Sequence, residues 1–267
     1  MLVIHGCNAW FSLFLASTSG FVAGVVTASW NRMLGINKFF AGILTMMMLY
    51  SLNLRILGGA NVSILRSKTV FDGFSQSELV LAIACLVWLF VCAVVTLTIF
   101  HTRFGLSMRA LASNIEAFRM GTVGKWITTA LGIGFANALS GLAGALVGQY
   151  QRFTDVNMGL GVTVSGFAAL FLGEALILGA LFLARTLSFS RLREFLERPN
   201  SAWTVRGEVI ATGLGSLALV TATTATLYLG LQPSDLKFVA AFFLLVGMVL
   251  RRKRLSYLLV PPSSFEK

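Results

Sequence analysis

Few side chains in this sequence have the type and spacing to do chemistry. Gly121-Thr122-Val123-Gly124-Lys125-Trp126 ends in Gly-Lys, the tail of a phosphate-cradling loop. The G-x-x-x-x-G-K-[ST] pattern needs a first Gly where Arg119 stands and a Ser or Thr where Trp126 stands. ATP is not bound in that way. The histidines His5 and His101 show no His-x-Glu or His-Glu-x-x-His spacing, so no metal centre is expected. Cys85 and Cys92 share a helical face but lie about 10 Å apart along it, too far to bond, and Cys7 has no obvious partner. No Ser or Cys stands beside a recognisable base. Catalytic residues, metals and cofactors are not expected in this chain.

The remaining leads are polar groups inside apolar runs. Glu174 falls in Leu170-Phe-Leu-Gly-Glu-Ala-Leu-Ile-Leu-Gly179. A carboxylate at that depth costs about 3 kcal/mol on insertion scales, so it faces a cavity or a partner. Two readings stay open: a residue of a solute pathway, or a break at Gly173 that leaves Glu174 at an interfacial turn. Tyr50, Asn53 and Asn137 are further pathway candidates, as are Thr221, Thr223 and Thr224. The alternative for these is hydrogen bonding between helices.

A different kind of site is written into residues 101–125, a polar connection between two apolar runs. Ser113-Asn114-Ile115-Glu116 fits a capping box, in which a Ser N-cap and a Glu three positions on satisfy each other's free backbone N–H groups. Gly121 stands where such a helix would stop. The spacing predicts a helix of about two turns over Asn114–Met120, too short to be stable alone in water. Ile115 and Phe118 would share its apolar face, while Arg109, Glu116 and Arg119 supply charge for a partner.

The elements that must carry these residues follow from composition. Hydrophobic residues make up 57% of the 267 and charged residues 12%, with a mean hydropathy of +0.83. A soluble domain typically has about a quarter of its residues charged. Most of this surface must therefore face lipid. Apolar runs of near 20 residues mark spans: Ala9–Ser29, Phe39–Ile56, Leu79–Phe100, Trp126–Val147, Gly159–Ala184, Val209–Leu229 and Leu236–Leu250. The expected fold is all-α, a polytopic helical membrane protein with about seven spans forming a single domain over residues 1–267. In the fourth run Ser140, Gly144 and Gly148 recur every four residues, with Gly141 and Ala145 beside them. That is a small-xxx-small face for close helix crossing, within the chain or against a second copy.

Placing the connections after the first, third, fifth and seventh runs in the cytoplasm puts 16 of the 21 basic residues there. The positive-inside rule then sets residues 101–125 and the C-terminus in the cytoplasm and the N-terminus outside. The net charge of +11 is spread along loops that face anionic lipid heads, so nucleic acid is not an expected partner. Met1–Trp10 lacks the basic segment of a secretory signal.

Gly35–Asn61, GINKFFAGILTMMMLYSLNLRILGGAN, resembles the signature of the integral-membrane permeases of bacterial ABC importers in the branched-chain amino-acid permease superfamily. The subgroup it is most similar to is linked to tryptophan, tyrosine or uncharacterised substrates. Thr102–Gly121 resembles that family's cytoplasmic coupling segment, with Arg109-Ala110, Asn114, Glu116-Ala117 and Gly121 at matching places. Gly166–Ala175 and Leu229–Lys237 carry weaker matches. The resemblance implies a permease subunit of the bacterial inner membrane that pairs with a second copy to form a translocation path for an amino acid or similar small solute. It also implies cytoplasmic ATPase subunits and a periplasmic solute-binding protein as partners, with the coupling contact at Arg109, Asn114, Ile115, Glu116, Phe118 and Arg119. Two departures stand out. The family's first span and its Phe-Pro-Asp-Leu-Thr-like stretch are not in this sequence, which hints at a truncated start. The Thr186–Arg206 insert, with Arg191, Arg193, Glu194 and Glu197, is longer than a turn. The competing classes are an ion-coupled secondary transporter, disfavoured by the few intramembrane charges, and a membrane-embedded enzyme, disfavoured by the lack of a catalytic constellation.

Overall fold

The structure, a computed structural model, describes residues 2–73, 78–113, 124–159, 161–186, 201–230 and 235–259. Among them are eight helices: α1 (Ala9–Leu34), α2 (Lys38–Leu57), α3 (Glu78–His101), α4 (Arg103–Ser113), α5 (Lys125–Gln151), α6 (Val162–Thr186), α7 (Ser201–Tyr228) and α8 (Leu236–Leu259). A short antiparallel ribbon pairs β1 (Asn61–Ser63) with β2 (Phe153–Asp155). The chain is a polytopic helical membrane protein. Six stretches, in α1, α2, α3, α5, the run into α6, and α7, are long and apolar enough to cross a bilayer. Large apolar side chains stand exposed along them, such as Phe14 (66%), Met47 (70%) and Phe90 (68%), as lipid-facing surface requires.

The predicted helix Asn114–Met120 lies outside the described residues, and with it Asn114, Ile115, Glu116, Phe118 and Arg119. The same holds for Arg191, Arg193, Glu194 and Glu197.

Helix ends are written locally. The side chains of Asn8 and Asn37 cap α1 and α2 by accepting from Trp10 N and Phe39 N at 3.0 and 3.1 Å. Gly35 (φ 64°) and Gly58 (φ 70°) end the same helices in the left-handed conformation that glycine adopts most cheaply. The seventh apolar run ends at Leu250, yet α8 continues through Arg251-Arg252-Lys253-Arg254 to Leu259. Hydropathy marks where lipid ends, not where a helix does, and Arg, Lys and Leu are good helix formers.

The chain divides into two compact units, Met1–Gly159 and Leu160–Lys267. In the first, α1 lies against α5 at backbone distance. A methyl group at Gly20 would land on the Asn137 carbonyl oxygen, and one at Gly24 would lie 2.6 Å from the Gly134 Cα. One at Gly141 would lie 2.5 Å from the Ala16 carbonyl oxygen. The small-residue face expected at Ser140, Gly144 and Gly148 is therefore not the one used for this crossing. Ser140 and Gly144 are exposed, and a methyl at Gly144 would meet nothing within 4 Å. The crossing runs through Gly134, Ala138 and Gly141, about 100–160° round the helix from Ser140, because its complement on α1 is Ala16, Gly20 and Gly24. Of the expected trio only Gly148 is packed, against Thr154 Cγ2. Thr27 and Thr45 join α1 to α2 by a buried hydroxyl–hydroxyl bond of 2.9 Å.

In the second unit α6 crosses α7 where a methyl at Gly173 would strike the Ala211 carbonyl and one at Gly215 the Ala169 carbonyl. Ala168, Ala169 and Leu219 form the buried centre, with Leu172, Phe243 and Leu244 packed on it. The expectation of a break at Gly173 is overturned: α6 runs unbroken from Val162 to Thr186. Gly173 is there for the close approach of α7, which a helix interior accommodates at a propensity cost of roughly 1 kcal/mol. Glu174 thus sits mid-helix, not at an interfacial turn.

Candidate functional site

The connection after α3 opens with a helix that the sequence reading did not anticipate. Thr102 separates α3 from α4 and caps the second of them. Its carbonyl accepts from Leu106 N at 3.1 Å and its hydroxyl from Gly105 N at 3.4 Å, while the hydroxyl donates to Ile99 O at 2.6 Å. A Thr before an amphipathic segment was the available signal, masked by the stronger capping box eleven residues on. Gly105 makes the elbow tight: a methyl there would collide with Phe100 and come within 2.6 Å of Ile99 O. Arg109, the described member of the predicted coupling group, is half-buried, and its Nη2 donates to Phe100 O at 3.1 Å. Met108 packs on α5, its Cε 2.6 Å from where a methyl at Gly132 would be. At the same end, the Arg32 guanidinium lies 5.0 Å over the Trp126 ring, joining α1 to α5.

The proposed pathway residues are divided between the two units, and each is described within its own. Tyr50 (40% exposed) and Asn53 stand exposed on α2. Asn137 is half-buried on α5, and its Nδ2 donates to Ile133 O of its own helix at 3.0 Å. Glu174 belongs to the second unit, half-buried on α6 beside the α7 crossing. Thr221, Thr223 and Thr224 donate to Ala218 O, Leu219 O and Val220 O of α7 at 2.9, 3.0 and 2.8 Å. Their hydroxyls serve their own helix instead of bridging to another, a common outcome for Thr in apolar helices.

Residues 1–249 match the family described as branched-chain amino acid transport system, permease component. The chain belongs to this family. A tyrosine transport system permease protein of Clostridioides difficile is 32% identical over 172 residues, covering 64% of this chain and 57% of that relative. An uncharacterized protein of Rickettsia prowazekii is 27% identical over 247 residues, 89% of this chain and 77% of its own. The chain thus spans little more than half the length of the tyrosine relative. No solved structure matches it.

The opposite end of the first unit of this permease-family chain is fixed by a side chain that the sequence reading missed. Gln149 is only 3% exposed. Its Nε2 donates to Ser12 Oγ at 3.1 Å and Ala9 O at 3.4 Å, and its Oε1 accepts from Val70 N at 3.0 Å. One amide therefore ties α5, α1 and the turn at residues 70–73 together. Beside it Arg152, which ends α5 with φ 60°, forms an ion pair with Asp72. Asp72 also accepts from Thr69 N at 2.6 Å. That backbone bond is the largest influence on its carboxyl; desolvation, next in size, opposes it, and the Arg152 guanidinium adds to the backbone bond, so that the carboxyl is held below the ordinary 3.8. The only sequence trace of this cluster is a Gln closing an apolar run.

Proposed function

We propose that the chain is the transmembrane permease subunit of an ATP-binding-cassette importer in the bacterial inner membrane. It acts as a single permease domain, and two copies line the path of an amino acid or similar small solute. ATP is hydrolysed on separate cytoplasmic subunits, a periplasmic binding protein delivers the solute, and the C-terminus lies in the cytoplasm. The observation that carries this reading is the α3–α4 elbow. Membership of a permease family implies an energy source, and Arg119 and Trp126 break the phosphate-loop pattern that would supply one within this chain. The elbow instead offers a short helix in a cation-rich connection, set against α5 by Met108, as a place for a separate motor to act. The contact falls on Asn114, Ile115, Glu116, Phe118 and Arg119, which follow α4 in the sequence. The name of the tyrosine relative makes an aromatic amino acid the first solute to try. Tyr50, Asn53, Asn137 and Glu174 are the pathway residues proposed for it.

The test is uptake of labelled tyrosine by cells that express the permease with the ATPase and binding protein encoded beside it. Uptake should stop on ATP depletion and survive collapse of the proton and sodium gradients. The reverse pattern would replace this reading with an ion-coupled secondary transporter, which Glu174 in the middle of an unbroken helix favours.

A further inference from the structure

Resting on the coupling reading above, we infer that Arg109 is a positioning residue, an internal latch of the α3–α4 elbow, and not a contact for the motor subunit. The argument starts from the end of α3. The last carbonyls of a helix have no partner within it, and Thr102 stops α3 from supplying one to Phe100. Arg109 does so from the next helix, nine residues on, through Nη2 at 3.1 Å. A charge-assisted bond from a rigid guanidinium fork is among the stronger hydrogen bonds a side chain can make to backbone. At 11 residues α4 is too short to hold itself in water, so its place depends on such fixings. Among the described residues these include the Thr102 cap, the Arg109 latch, and Met108 seated on Gly132 of α5.

The consequence is mechanical. With its first turn capped and its second turn bonded back to Phe100, α4 cannot pivot on α3, so a push arriving at Ser113 moves both helices and bears on α5 through Met108. The α5 helix touches α1 backbone to backbone at Gly134, Asn137 and Gly141, and such contacts do not absorb displacement in side-chain rotamers. Without the latch, the same push would be spent bending the elbow.

Two measurements on the full chain test this. The first uses nitroxides at positions 86 and 106, both exposed leucines, in a variant lacking Cys7, Cys85 and Cys92, reconstituted in lipid vesicles. The distance distribution across the elbow should broaden at least twofold in Arg109→Ala and less in Arg109→Lys, which keeps a charged donor. An unchanged width in Arg109→Ala overturns the latch. The second uses the complex with the ATPase subunit encoded beside this chain. Arg109→Ala should co-purify with that subunit as wild type does, yet move about tenfold less solute per ATP hydrolysed. Loss of the subunit in Arg109→Ala would make Arg109 a direct contact and overturn the inference. Phe118→Asp separates the two claims: full binding and uptake in that variant would sink the coupling reading itself, whatever the elbow does.

Discussion

Two glycines of the same bundle should respond to the same substitution with opposite signs. In a helix interior Gly→Ala stabilises by roughly 0.5–1 kcal/mol, because alanine loses less backbone freedom on folding. At Gly144 the new methyl meets nothing within 4 Å, so Gly144→Ala should keep that gain. At Gly24 it would lie 2.6 Å from both the Gly134 Cα and the Ile133 carbonyl oxygen. Relaxed contacts between heavy atoms sit near 3.5–4.0 Å, so the shortfall is about an ångström, and both neighbours are backbone. No rotamer can yield, and α1 must move away from α5. Overpacking of this kind costs roughly 1–3 kcal/mol. The separation also forfeits about a quarter to a half of each dispersion contact along the seam. Gly24→Ala should therefore be destabilised by about 1–3 kcal/mol net while Gly144→Ala is neutral or stabilised. The assay is thermal unfolding of the purified variants in one detergent, read by tryptophan fluorescence. Equal shifts of the same sign would refute the assignment of the α1–α5 seam to Gly20, Gly24 and Gly141.

Replacing Gln149 with Leu keeps the volume but strands the buried Val70 N–H, whereas Ser12 Oγ still donates to Ala9 O at 2.6 Å. One orphaned donor predicts a loss of about 1–3 kcal/mol in the same unfolding assay, and no change would show that the amide is not holding the turn. Asp72 predicts a pH effect. Its folded-state pKa lies below the ordinary 3.8, so its contribution is complete above that value and is lost as pH falls through the folded-state pKa. Hydrogen exchange at Thr69 N should accelerate below about pH 4, beyond its ordinary pH dependence, in wild type and be fast at every pH in Asp72→Ala, which has no acceptor; a flat wild-type profile would contradict the carboxylate's role. Ile115→Asp and Phe118→Asp should insert in the membrane normally yet lose uptake. Normal ATPase co-purification and uptake in both would remove the coupling assignment.

How much of this was legible in the sequence follows from which forces act locally. Runs of apolar residues show the helices, because lipid demands about 20 in succession, and Asn8 and Asn37 announce their caps within three residues of the bonds they make. Gly173 shows where local reading fails. A glycine beside a glutamate in a long run looks like a break, and only the position of α7 reveals that the missing side chain makes room for Ala211. The seam of α5 against α1 is hard to read for the same reason: Ser140, Gly144 and Gly148 keep the cleaner four-residue period, yet of the small residues on that side only Gly141 lies in this crossing, with Gly134 and Ala138, because the face used here is chosen by Gly20 and Gly24 on another helix. Gln149 and Asp72 gain their importance from residues far away in the chain, which no spacing rule encodes. The start of α4 was readable from Thr102 and was overlooked because the Ser113–Glu116 signature is stronger.

The central claim is that a motor on the inner side of the membrane acts on the connection following α4. Its most direct measurement is thiol labelling of Glu116→Cys in the variant lacking Cys7, Cys85 and Cys92, with a maleimide that cannot cross membranes. The reagent should leave intact spheroplasts unlabelled and react fully in inside-out vesicles, with added ATPase subunit protecting the site. Labelling from the outer face would place this connection beyond the reach of any cytoplasmic motor and contradict the account.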